Sequence, residues 1–84
     1  MSNLKEMVVV EWHDARLFPD TYSADETRNL KMQKFETIGY LLLKDSTTTI
    51  LAFERNNEGQ YRDIILIPSG SIGSIQRLSL GSFV

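Results

Sequence analysis

The chain is 84 residues long, carries a net charge of −2 and contains no cysteine. That length holds one domain with a modest core, and the missing thiols exclude disulfides and thiolate metal sites as staples, which leaves self-association as the common remaining one. The acidic balance argues against general affinity for nucleic acid or anionic membrane, because both draw on clustered Lys and Arg. No apolar run approaches the roughly 18 residues of a membrane span, and the first residues lack a signal-peptide pattern. The expectation is a cytoplasmic protein whose single domain spans residues 1–84, with 1–6 and 79–84 as flexible tails.

Met7 to Trp12 reads as the first strand. Val8, Val10 and Trp12 share one face and Val9, Glu11 and His13 the other. Residues 14–34 break the strand pattern with Asp14, Pro19, Asp20, Ser23, Asp25 and Asn29. Within them Ser23-Ala24-Asp25-Glu26 fits a capping box, predicting a short helix over about Ala24–Lys31. Leu17, Phe18 and Tyr22 are expected to cover one end of the core, and a recognition loop or oligomer contact is the sharper alternative.

The centre of the chain runs from Phe35 to Arg55. Phe35 to Leu43 is apolar at both parities, as in a strand that is covered on both faces or tightly curled. Gly39 interrupts it and predicts a bend or the close approach of another backbone or of Trp12. Lys44-Asp45-Ser46 supplies turn chemistry, and Thr47 to Phe53 follows as a β-branched strand. Asn56 to Gln60 is a turn with a glycine suited to positive φ. Tyr61 to Ile67 is the fourth strand and Pro68 ends it. Ser69-Gly70-Ser71 predicts a tight turn or one turn of 3₁₀ helix, and Ile72 to Leu78 a last short strand. In the tail, Leu80, Phe83 and Val84 would be exposed unless they dock on a neighbouring subunit. Five short strands, one long early connection and tight later ones predict an all-β barrel.

Two resemblances rest on these residues. Gly39, Leu41 and Asp45 reproduce the spacing of the first Sm motif, and Ile50 and Ala52 continue it. Ile67, Gly70 and Ile72 loosely follow the second. The chain thus resembles the Sm-like branch of the SH3-like barrels, over about residues 8–13 and 35–78, with the segment between as an insertion. That resemblance implies a five-stranded SH3-like (Sm-like) barrel and a ring whose loops, here Asp45–Thr49 and Pro68–Ser71, hold a nucleotide or RNA. Thr49 stands where the family has an RNA-contacting asparagine and Pro68 where it has a basic residue, and both departures weigh against RNA. The chain is also similar to small proteins of phages and prophages. It shares their Val-x-Val-x-Trp-x-Asp-Ala opening (Val8, Val10, Trp12, Asp14, Ala15), their strand Ile38-Gly39-Tyr40-Leu41 and their turn Ile67-Pro68. No activity is implied by this second likeness.

The candidate ligand-binding residues are Trp12, Asp14, Tyr40, Asp45, Thr47, Thr49, Ser69 and Ser71. Trp12 and Tyr40 offer stacking surfaces near the ends of neighbouring strands, though both also suit ordinary packing. Asp14 suits bracing the start of the long loop. The hydroxyls and carboxylate of Asp45–Thr49 and the Ser69-Gly70-Ser71 turn offer hydrogen bonds to a nucleotide, though a plain turn followed by the solvent face of a strand suits the first better and the second is too short for a phosphate loop. His13 and Asp14 alternate across a strand and cannot readily form a dyad. No catalytic constellation, metal-ligand spacing or cofactor motif is visible. The reading is a non-enzymatic, homo-oligomeric protein-interaction module of phage or prophage type. The alternative is an Sm-like ring binding a nucleotide or RNA.

Overall fold

The computed structural model describes residues 5–78. Five strands form one antiparallel sheet: β1 (Met7–Asp14), β2 (Gln33–Lys44), β3 (Thr48–Arg55), β4 (Tyr61–Pro68) and β5 (Ile72–Arg77). Their spatial order is β4-β3-β2-β1-β5. All five expected strands are present. The sheet stays open, because β4 and β5 lie at its two ends and do not pair.

Cross-strand partners share a face, so the register sorts the side chains. Val8 opposes Gly39, Val10 opposes Thr37 and Trp12 opposes Phe35. On the other side of β1, Val10 opposes Ile75. Leu51 lies between Leu41 and Ile65, and Thr49 opposes Ile67. This inner face holds the core of Val8, Val10, Leu51 and Ile67, with Trp12, Leu41, Ile65, Ile72 and Ile75 packed on it. The alternation of β1 is as expected: Val8 and Val10 are buried while Val9 and Glu11 are only half-buried.

Two features mark the β2–β3 ladder. A register shift between Leu41 and Leu43 lets Leu43 oppose Ile50, on the outer face. Gly39 is buried, and a β-carbon there would lie 2.7 Å from the carbonyl oxygen of Ala52. The expected close approach is therefore to the β3 backbone. Trp12 is elsewhere, stacked on Phe35. The expectation that β2 is covered on both faces does not hold, since Ile38 and Leu43 on the outer face are 51% and 43% exposed.

The helix expected over Ala24–Lys31 shrinks to a 3₁₀ turn, Glu26–Asn29. Its capping box forms: Ser23 N–H donates to Glu26 Oε1 and Glu26 N–H donates to Ser23 Oγ, both at 3.2 Å. The turn buries no residue, so nothing rewards its extension, and Leu30 returns to extended backbone. Phe18 and Tyr22 meet each other edge-on at 6.3 Å, Leu17 is 87% exposed, and none of the three packs on the core. The expectation that they cover its end is therefore corrected.

The Asn56–Gln60 turn uses Gly59 at φ 78°, and Ser69–Ser71 forms a second 3₁₀ turn. In β4, Asp63 adopts φ 61°, the left-handed region that Asp enters more readily than most residues. The ladder pairs Ala52 with Ile64 and Glu54 with Arg62 on either side of it. The tail expected to fray or dock, from Ser79 onward, lies outside the described residues.

Candidate functional site

Four of the eight candidate residues meet where the β2–β3 turn touches the turn between β4 and β5. Asp45 follows β2, and its Oδ1 accepts from Thr47 N–H at 2.8 Å and Thr48 N–H at 2.7 Å. The Thr48 and then the Thr47 amide hold the Asp45 carboxyl below its ordinary range. Asp45 N–H donates to the Thr48 carbonyl, and Ser69 N–H to the Thr47 carbonyl, each at 3.0 Å. Ser69 Oγ donates to the Asp45 carbonyl at 2.7 Å and lies 2.9 Å from Thr49 Oγ1. A hydroxyl has one hydrogen, so Thr49 is the donor to Ser69. The chain runs Thr49 to Ser69 to Asp45, with Thr49 fully buried.

This network is turned inward. The hydroxyls of Thr49 and Ser69 are spent on tying the two turns together, and one Asp45 carboxylate oxygen is spent on its own loop. Ser71 ends the second turn, half-buried and outside this chain of bonds. Among the described residues no buried polar side-chain atom lacks a partner.

Trp12 and Asp14 form a second place. Trp12 stacks on Phe35 with ring centroids 5.3 Å apart and 29° between planes, and its Nε1–H donates to Thr37 Oγ1 at 3.0 Å. Asp14 Oδ1 accepts from Ala15 N–H at 2.8 Å, bracing the start of the long loop. Nearby, Lys34 pairs with Glu11 at 3.1 Å.

Tyr40 lies apart from both. It opposes Met7, at the far end of the β1–β2 ladder from Trp12, and it has the opposite parity. The two aromatics therefore lie on opposite faces and cannot share a ligand within one chain. Tyr40 instead meets Tyr61 edge-on at 5.8 Å and carries the Arg55 guanidinium 4.8 Å above its ring.

The feature that sequence reasoning left unplaced is the edge of β4, which no other described strand pairs. Along it Ile64 and Leu66 are 45% and 62% exposed. Leu66 opposes Ile50, which opposes Leu43, so the edge is continuous with the apolar outer face. Asp63 in left-handed backbone and Pro68 without an amide hydrogen close the two ends of this free stretch, leaving Ile64–Ile67 as its middle. The alternation of Ile64 and Leu66 was legible; which strand would lie at the edge was not.

Among the described residues no three His, Asp or Glu side chains gather as metal ligands, and no helix is long and apolar enough to cross a membrane. Comparison with family models, with curated proteins and with solved structures finds no match to this chain.

Proposed function

We propose that this chain is a non-enzymatic self-association module, its sheet curled as an SH3-like barrel of Sm-like type. Copies join edge to edge, the β4 edge of one adding to the β5 edge of the next. The observation that carries this reading is the short free edge Ile64–Ile67, whose Ile64 and Leu66 continue an apolar outer face. Unpaired edge amides and carbonyls are a template for strand addition, and flanking apolar side chains supply area. Joining unlike edges is a head-to-tail contact, which closes into a ring when the rotation per copy allows. Binding of a nucleotide or RNA by the Asp45–Thr49 and Pro68–Ser71 loops is the less favoured reading, because the Thr49 and Ser69 hydroxyls face one another.

The test is native mass by light scattering, with absorbance read at 260 and 280 nm. An oligomer with protein-like absorbance that dissociates in Leu66→Lys supports the module. A monomer at about 100 μM, well above the Kd of a micromolar contact, would sink it. An oligomer with excess absorbance at 260 nm would move the reading to the nucleotide-binding ring.

A further inference from the structure

Tyr40 and Arg55 border a depression of about 230 Å³ at the end of the sheet where β1 begins and β5 ends. Its walls are built by the ladder. Leu41 N–H donates to the Glu6 carbonyl at 2.8 Å and Leu78 N–H donates to the Met7 carbonyl at 2.9 Å, so the flanking chain ends are held in place. Met7, Leu78 and the Tyr40 ring supply an apolar surface, and Tyr61 braces Tyr40 edge-on.

The charge here runs against that of the whole chain. Lys5, Arg55 and Arg77 border the depression with one carboxylate, Glu6, in a protein of net charge −2. Glu6 is engaged, its Oε2 lying 3.0 Å from Arg77 Nε. Arg55 makes no ion pair among the described residues. Its guanidinium carbon lies 4.8 Å from the Tyr40 ring centroid, and the fork of N–H donors it carries suits a planar oxyanion, which it can bond two at a time.

We propose that this depression binds a small organic anion, a carboxylate or phosphate head group on a flat apolar body. The head group pairs with Arg55 and is drawn in by Lys5, while Arg77 is offset by its pair with Glu6. The flat body lies against Tyr40, Met7 and Leu78. The volume suits an aryl ring with its head group, being slightly below the range of drug-sized pockets. The site does not rest on edge-to-edge assembly: Tyr40 and Arg55 belong to β2 and β3, away from both end strands, and only Arg77 lies on β5, whose edge that assembly would use.

The experiment titrates the full chain with phenyl phosphate, benzoate, inorganic phosphate and benzyl alcohol, following amide and arginine side-chain NMR signals. Phenyl phosphate and benzoate are expected to give saturable shifts at Tyr40, Arg55 and Arg77, and the tighter of the two identifies the head group. Inorganic phosphate and benzyl alcohol, each lacking half of the ligand, should bind about tenfold more weakly, and Arg55→Gln should lower phenyl phosphate affinity about tenfold while the amide spectrum away from Tyr40 stays that of the folded protein. Arg55→Lys, which keeps the charge and loses the fork, should fall between. No saturation by about 20 mM, a concentration well past a millimolar Kd, would overturn the proposal. So would equal binding of inorganic phosphate, or shifts mapping to Asp45–Ser69.

Discussion

Gly39 and the carbonyl of Ala52 are in direct contact across the β2–β3 ladder: a β-carbon at position 39 would stand 2.7 Å from that oxygen. The oxygen belongs to backbone, and Ala52 is itself fully buried, so it has no room to yield. Gly39 sits opposite Val8 of the core, which means any displacement is felt in the packed face.

Gly39→Val is therefore expected to destabilise the protein, by about 1–3 kcal/mol for an overpacked interior position. In a domain of this size that lowers the melting temperature by at least about 4 °C. Thermal unfolding checks it, and a curve like that of the unsubstituted protein would show that the Ala52 carbonyl does not constrain position 39.

Ser69→Ala should cut the bond chain that ties the two turns. It leaves the buried Thr49 hydroxyl without its acceptor and frees the Asp45 carbonyl. An orphaned buried donor costs about 1–3 kcal/mol. Pairing it with Thr49→Val removes the orphan, so the double variant should lose less than Ser69→Ala alone. Urea unfolding of the three proteins gives the comparison, and a double variant weaker than both singles would contradict this accounting.

Acid should weaken the fold through three carboxylates. Glu26 is held low by the Ser23 backbone and hydroxyl, Asp45 by the Thr48 and Thr47 amides, and Glu54 chiefly by its paired hydrogen bonds to Arg62 at 2.8 and 2.9 Å. A carboxyl whose folded value is depressed stabilises the fold above its unfolded value, and that contribution is lost as pH falls through the folded one. Stability should thus be level above the ordinary values of 3.8 for Asp and 4.5 for Glu and should decline below them. The Arg62 value is raised by the same pair, which adds stability up to strongly alkaline pH and no slope near neutrality. The midpoint of urea unfolding between pH 7 and pH 3 measures the effect, and Asp45→Asn should flatten the acid limb. A midpoint indifferent to pH would count against these bonds being kept in solution.

The strands and turns were legible because each rests on local chemistry. Val8 and Val10 alternate with Val9 and Glu11, Asp45 bonds the amides two and three residues on, and Gly59 takes the positive φ its turn requires. The capping box was legible for the same reason, since Ser23 and Glu26 are three residues apart. The helix beyond it was not, because its length depended on a packed face that the segment never obtained.

The candidate site divides along the same line. Asp45, Thr47, Thr49 and Ser69 do come together, but the direction of their hydrogen bonds depends on the β4–β5 turn, which approaches across the sheet from a distant part of the chain. Trp12 and Tyr40 look alike in sequence as aromatics near strand ends, and register alone sends them to opposite faces.

By itself, then, the sequence determined that this is an all-β chain, where its five strands lie and which glycine of the central one admits a close backbone approach, since these follow from side-chain alternation, turn-forming residues and the missing β-carbon. Only the tertiary structure decided that β4 and β5 are the end strands of the sheet, that Ile64 and Leu66 are left exposed, and that Arg55 lies over Tyr40. Each of these depends on which strands become neighbours, and strand order is set by packing between distant segments, to which local propensity is blind.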